Sequence, residues 1–391
     1  MHTKLGKAFT FSEQIASSGF NFIVVILLSK MQSGAVASFG LVYSFALVYV
    51  ALIKNGALNA YLTNGNTSIR FYLSLLKRSI INIYSNGFLI FLALFGLLTN
   101  PELGLFIPVF LFYIFIEINR VYLFSIQKEF MVFGTNAFSY LLIFSLIYAF
   151  SIEVKSAFLF GVLIQIGVFV SVCLSRLKYC KEESIEDEYF NGIGKDSFLL
   201  TASYSAYAHG PLWILYIISD DLAKLLIQIR NLFQPVQMLS RVIDMYEKRR
   251  SGSTKYSYSV FQANFKFQLY CALLLSGACA LIGYSVFEYA YGSYGDINLP
   301  LLISVYAIIC ILTFLSKPIE TYFYKIKDLK PIIKSRIIAS VLIIMTSPFL
   351  YFYQSDDSLI ILLLTLSVIW SVILVRNYLV IMKLAHSQGE R

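Results

Sequence analysis

The chain alternates between long apolar runs and short polar breaks. About twelve runs approach the roughly 20 residues that a membrane-spanning helix needs. They cover residues 8–28, 37–53, 80–98, 103–123, 136–149 and 157–174, then 197–218, 222–239, 267–287, 299–315, 337–353 and 358–375. The second, fifth, tenth and eleventh are the shortest for a span. Polar residues inside some runs recur with helical spacing. Thr10, Gln14, Ser17 and Asn21 fall at i, i+4, i+7 and i+11 of the first run, on one face of a helix. Arg230, Gln234, Gln237 and Arg241 repeat that spacing in the eighth, and Thr201, Ser205 and His209 share a face of the seventh. Lipid cannot satisfy such groups, so these faces turn toward protein or water. For Ser and Thr the reading favoured is interhelical hydrogen bonding. For the eighth run it is a water-filled cavity.

Composition agrees. Of 391 residues, 58% are hydrophobic and only 14% charged, against about 25% charged in soluble domains. Too few charges remain for a water-covered surface. The net charge of +9 does not indicate nucleic acid, because Lys and Arg are spread over the breaks rather than gathered in a basic module. With the N-terminus in the cytoplasm, most of them fall in cytoplasmic breaks, among them Lys54, Lys77, Arg78, Arg176, Arg241, Arg249, Arg250 and Arg376. The outside set holds only Lys30, Lys155 and Lys224. By the positive-inside rule this predicts an even number of spans with both termini cytoplasmic. The first run is long enough to remain as a span, so no cleavable signal peptide is expected. The five cysteines form no CxxC pair and read as small buried hydrophobes.

The most polar stretch contains Lys181-Glu182-Glu183-Ser184-Ile185-Glu186-Asp187-Glu188. It reads as a solvated cytoplasmic linker over 181–196, between lobes at 1–180 and 197–391. The lobes show weak likeness, with Gly6-Lys7 opening the first span and Gly194-Lys195 the seventh. The expected architecture is all-α and polytopic, built as two parallel six-helix repeats.

Arg230 lies about 12 Å inside its helix. Placing an arginine there costs about 2.5–3.5 kcal/mol, and it cannot escape by deprotonating. Either a carboxylate on another helix, such as Glu13 or Glu117, or an anion in a hydrated cavity would compensate it. Pro235 in the same span and Gly210-Pro211 in the seventh are expected to interrupt their helices. Glu117 and Arg120 are spaced for an intrahelical ion pair. Glu13 is a candidate carrier of a proton or sodium ion, or an interfacial charge. Lys317-Pro318-Ile319-Glu320 reads as a helix end facing the cytoplasm. No P-loop, HExxH or GxSxG occurs, and no catalytic residue, metal site or cofactor is expected.

The run Gln14, Ser17-Ser18, Asn21-Phe22, Leu27-Leu28-Ser29-Lys30, Phe39-Gly40, together with Arg230-Asn231-Leu232-Phe233-Gln234-Pro235, resembles the Wzx polysaccharide flippases of the multidrug/oligosaccharidyl-lipid/polysaccharide (MOP) exporter superfamily. Ser29-Lys30 departs mildly from the family's usual pair, and the chain is short for the family. The resemblance implies a MATE-like fold, with a V-shaped pair of lobes around a central cavity. The first, second, seventh and eighth helices would line that cavity. The implied function is flipping of an undecaprenyl-diphosphate-linked oligosaccharide, an O-antigen or related unit, from the cytoplasmic to the periplasmic leaflet of a bacterial inner membrane, for lipopolysaccharide biosynthesis. Alternating access driven by a proton or sodium gradient would move it, with Glu13 and Glu117 as ion-coupling candidates. Arg230 would meet the diphosphate or an acidic sugar, with Arg241 and Lys54 attracting it. Gln14, Asn21, His209, Gln234 and Gln237 complete the cavity set. Partners would be the lipid-linked substrate, membrane lipids and other polysaccharide assembly proteins. A drug exporter of the same superfamily would want an apolar or acidic cavity, against which Arg230 stands. An O-antigen polymerase would want a large arginine-bearing outside loop, and a membrane acyltransferase an early His-plus-Arg constellation. The chain shows neither.

Overall fold

The computed structural model describes residues 4–53, 68–81, 83–126, 128–177, 194–240, 243, 257–292, 297–326, 328–353 and 357–387. Lys54, Arg241 and residues 181–193 of the expected linker lie outside them. The chain is an all-α polytopic membrane protein. Its helices are α1 (Lys4–Met31), α2 (Ala35–Ile53), α3 (Ile69–Ile81), α4 (Ile83–Thr99), α5 (Ile107–Ser125), α6 (Glu129–Tyr148) and α7 (Val154–Leu177). They continue with α8 (Gly194–Ile218), α9 (Asp220–Leu232), α10 (Tyr258–Tyr291), α11 (Leu299–Lys325), α12 (Lys330–Tyr353) and α13 (Asp357–Ser387). A 3₁₀ segment, Pro101–Phe106, leads into α5. Among the described residues, nine helices are long and apolar enough to cross a membrane, and α3 with α4 add a tenth as a pair bent by 48°.

Among the described residues each of the twelve predicted segments falls on helix, but two local expectations are corrected. Gly210-Pro211 does not break its span: α8 runs unbroken with Pro211 inside it. The eighth segment is divided as Pro235 leads one to expect, two residues before the proline. α9 ends at Leu232, Phe233 turns, and 234–240 is helical again. Proline lacks the N–H that would continue the ladder, so the break falls on its N-terminal side. Lys317-Pro318-Ile319-Glu320 is not a helix end, because α11 continues through Pro318 to Lys325.

Several boundaries follow from local chemistry. Asn100 caps the 3₁₀ segment, accepting from the Glu102 N–H at 2.9 Å, with Pro101 as its first residue. Ser219 caps α9, and Asp220 and Asp221 in the first turn complement the positive end of the helix dipole. Gly292 stops α10 with φ +87°, a conformation that glycine adopts without a Cβ clash.

The chain divides into two compact units, Met1–Ala202 and Ser203–Arg391. In the first, α1 packs on α6, α2 on α5, and α7 on both α5 and α6. Its centre is aromatic: Phe20 stacks on Tyr140 at 4.4 Å, and Phe158 meets Phe112 edge-on at 5.1 Å. Gln32 ties the α1–α2 turn to the α6–α7 turn, donating to the Ile152 carbonyl (3.3 Å) and accepting from the Val154 N–H (3.2 Å). In the second unit α11 is central, packed on α10 and α13, with α12 against α13. Large apolar side chains such as Leu281, 85% exposed, cover the outside of α10, as a lipid-facing surface requires.

Gly161 of α7 is a packing requirement. A Cβ there would lie 2.7 Å from Ile143 Cδ1 and 2.8 Å from the Phe112 ring, which its aromatic neighbours hold in place. At Gly283 the nearest atom would be Ile303 Cγ2 at 3.4 Å. Both positions gain the same helix propensity from alanine. Gly161→Ala is therefore expected to be less stable than Gly283→Ala by about 1–3 kcal/mol, measured by thermal unfolding of the purified chain in detergent.

Candidate functional site

The first unit holds a buried polar network. Glu13 of α1 is fully buried, 0% exposed. It is thus no interfacial charge, as the sequence reading allowed. Its carboxylate forms an ion pair with Arg120 of α5 and accepts from Asn136 of α6 at 3.0 Å. Arg120 also pairs with Glu117, as the i,i+3 spacing predicts. The chain of bonds continues: Gln165 of α7 donates to Asn136 (3.2 Å) and Ser139 (3.0 Å), while Asn119 donates to Gln165 Oε1 at 2.8 Å. Gln14 donates to Glu13 at 3.2 Å. Four helices are joined by bonds that water would otherwise have made.

The polar stripe of α1 enters the same interior. Asn21 donates to the Tyr43 hydroxyl of α2 at 3.0 Å and accepts from Tyr113 of α5. Ser17 is hydrogen-bonded to Tyr140. For Ser17 and Asn21 the structure therefore shows interhelical bonding within the first unit.

In the second unit, Arg230 is at the end of α9, partly buried. It hydrogen-bonds the Tyr306 hydroxyl of α11 and lies close to Cys310. Both carboxylates that the sequence offered as its partner, Glu13 and Glu117, are bound to Arg120. Among the described residues no carboxylate forms an ion pair with Arg230. Gln234 and Gln237 are partly exposed on the helical segment that follows, and His209 is buried in α8.

Sequence reasoning missed a second charged cluster. Glu320 of α11 forms an ion pair with Arg336 of α12, and both are more than nine-tenths buried. Lys317 stands 3.8 Å from the other carboxylate oxygen. Tyr204 of α8 presents its ring to both cations, 5.0 Å from the Arg336 guanidinium and 5.2 Å from the Lys317 ammonium.

A signal for this cluster exists in the sequence as a repeat with an offset of 200 residues. Tyr122 and Tyr322 are both buried before matching turns. The Ile126 N–H donates to the Tyr122 carbonyl at 3.2 Å, and the Ile326 N–H to that of Tyr322 at 3.1 Å. The Lys128 N–H reaches the Leu123 carbonyl at 2.9 Å, and the Asp328 N–H that of Phe323 at 3.2 Å. The same offset pairs Glu117 with Lys317, Arg120 with Glu320, and Asn136 with Arg336. The charges of the two clusters are inverted.

This helical architecture is that of a known transporter class. The outward-facing conformation of a multidrug resistance MATE family transporter of the MOP superfamily matches it with a TM-score of 0.56 and 12% identity, over 100% of this chain and 98% of that one. The inward-facing conformation of a MATE family transporter of the MOP superfamily matches with a TM-score of 0.55 and 14% identity, over 98% and 96%. A MOP superfamily transporter from Pyrococcus furiosus, for which the reverse polarity of the binding pocket suggests a different function, matches with a TM-score of 0.54 and 13% identity, over 96% and 92%. No family model and no curated protein matches the sequence. At these identities the likeness is one of fold, and the chain has the MATE-like fold of MOP superfamily transporters.

Removing Arg120 would leave two carboxylates, one fully buried, without their cation. Arg120→Gln is expected to destabilise the chain by about 3–5 kcal/mol. The double variant Glu13→Gln/Arg120→Gln buries no bare charge at Glu13 and should recover part of that loss. Thermal unfolding of both variants beside the parent chain checks the order.

Proposed function

We propose that the chain is a membrane exporter of the MOP type that works by alternating access. The observation that carries this reading is the likeness of nearly the whole chain to solved transporters in both outward- and inward-facing conformations. Their fold serves vectorial movement rather than covalent chemistry. Among the described residues no group of three His, Cys, Asp or Glu is placed to hold a metal ion. The first unit supplies a candidate coupling centre in Glu13 and Glu117, two carboxylates around one guanidinium. Either carboxylate would be the carrier of a coupling proton or sodium ion.

On substrate, one observation favours an anionic amphiphile over a cationic drug. Arg230 is a permanent cation inside a span, and its described partner is a neutral phenol, Tyr306. A guanidinium fork suits phosphate oxygens. Within this reading, an undecaprenyl-diphosphate-linked oligosaccharide is the substrate that the Wzx resemblance points to, with Gln234 and Gln237 bonding its polar parts. The transporter with reversed pocket polarity is a precedent for a MOP fold that departs from multidrug export.

The test is transport by the purified chain in proteoliposomes. Fluorescent polyprenyl-diphosphate sugar is offered in one experiment and a cationic dye in another. Movement of the diphosphate lipid is expected, reduced about tenfold or more in Arg230→Ala and less in Arg230→Lys. Movement of the dye alone would make the chain a drug exporter. Movement of the diphosphate lipid at the parental rate in Arg230→Ala would remove Arg230 from substrate binding.

A further inference from the structure

The hydrogen bonds that lead to Glu13 all run in one direction. Asn119 of α5 donates from Nδ2 to two oxygens of Gln165, the backbone carbonyl at 2.9 Å and Oε1 at 2.8 Å. A backbone carbonyl only accepts, so it fixes which end of the Asn119 amide faces Gln165. Gln165 therefore presents Oε1 to α5 and Nε2 to α6. Ser139 requires the same orientation independently. Its hydroxyl donates to the Thr135 carbonyl at 2.9 Å, so toward Gln165 Nε2 it accepts, at 3.0 Å. Gln165 Nε2 also donates to Asn136 Oδ1 at 3.2 Å, which turns Asn136 Nδ2 onto Glu13 Oε1 at 3.0 Å. Three amides thus pass their N–H groups from α5 through α7 and α6 to the carboxylate on α1.

The two oxygens of that carboxylate are not equivalent. Oε1 takes the Asn136 donor and the Arg120 guanidinium together, one for each lone pair. Among the described residues, Oε2 takes Gln14 Nε2 alone, at 3.2 Å. The titratable and charged groups around Glu13 are Arg120 and Glu117 of α5 and Tyr140 of α6, with Tyr43 of α2 near Tyr140.

We propose that the ion carried at Glu13 is a proton and not sodium, that it binds at Oε2, and that Asn136 and Gln165 set this choice. This rests on the reading of Glu13 as a coupling carboxylate. A sodium ion needs several oxygen ligands at once. Here each described group that bonds the carboxylate offers N–H, and the side-chain oxygens of Asn136 and Gln165 are turned away and occupied. Reversal of the amides is blocked, because the Gln165 carbonyl holds Asn119 and the Thr135 carbonyl holds Ser139. A proton needs one lone pair. It comes from water, forms the Oε2–H bond and neutralises the carboxylate. Gln14 is partly exposed and turns its amide oxygen to accept from the new hydroxyl. Oε1 keeps the Asn136 donor, and Arg120 keeps its pair with Glu117.

Carboxyl protonation is followed by infrared spectroscopy of the purified full chain without substrate. The pH is varied at constant ionic strength in choline chloride and in sodium chloride. A protonated-carboxyl band is expected that titrates with pH, has the same midpoint in both salts and is lost in Glu13→Gln. Asn136→Leu removes a donor to the ionised form, so its midpoint should rise by about one pH unit or more. Gln14→Met removes the acceptor of the Oε2 proton and should shift the frequency of the band. That partly exposed position keeps the test decisive if Glu13→Gln does not fold. A midpoint that sodium lowers saturably in the parent chain overturns the proposal and makes Glu13 a sodium site. So does a band unchanged in folded Glu13→Gln or in Gln14→Met. An Asn136→Leu midpoint equal to that of the parent removes the amides from the choice. An intact titration in a chain that transports nothing would remove the exporter reading alone. Transport with a sodium-dependent midpoint would remove the proton alone.

Discussion

A lipid-covered helix has nowhere to send its polar side chains except into another helix. That constraint accounts for the interior of the first unit. The Glu13 carboxylate is fully buried, and its affordable surroundings are an opposite charge and further hydrogen-bond donors. Arg120 supplies the charge and Asn136 a donor. Asn136 then needs Gln165, and Gln165 needs Asn119 and Ser139. The placement of α5, α6 and α7 around α1 follows that chain of obligations as much as it follows the Phe20–Tyr140 stacking. Aromatic packing supplies contact area without direction, whereas the polar bonds specify which face of each helix meets which.

The second unit meets the same constraint with opposite charges. Its turn between α11 and α12 repeats the backbone bonds of the turn between α5 and α6, 200 residues earlier. Yet a cation stands where the first unit has an acid, and an acid where it has its guanidinium. Backbone geometry is indifferent to that exchange, because the turn is closed by N–H and C=O groups that every residue carries. The duplicated turn therefore carries two different charge arrangements, Glu117 with Arg120 and Lys317 with Glu320.

Arg230 belongs to neither cluster. A guanidinium among Tyr306, Cys310 and the turn at Phe233 has hydrogen-bond acceptors nearby but no described counter-charge. That distinguishes it from Arg120, paired with Glu13 and Glu117, and from Arg336, paired with Glu320. A cation without such a pair is costly to keep inside a span.

The sequence by itself determined the spans, because about 20 apolar residues in a row can only be solvated by lipid. It also determined the Glu117–Arg120 pair and the inward face of α1, because helical spacing brings residues three and four apart together. It flagged Arg230 by its cost. The tertiary structure decided what spacing cannot reach. Arg120 finds Glu13 from 107 positions away, and Glu320 finds Arg336 across the turn between α11 and α12. Proline rules are likewise local, so Pro211 stays inside an unbroken α8 while the turn before Pro235 opens at Phe233. Pairings between helices depend on which faces pack, and that is settled only when all the polar groups of a unit are satisfied together.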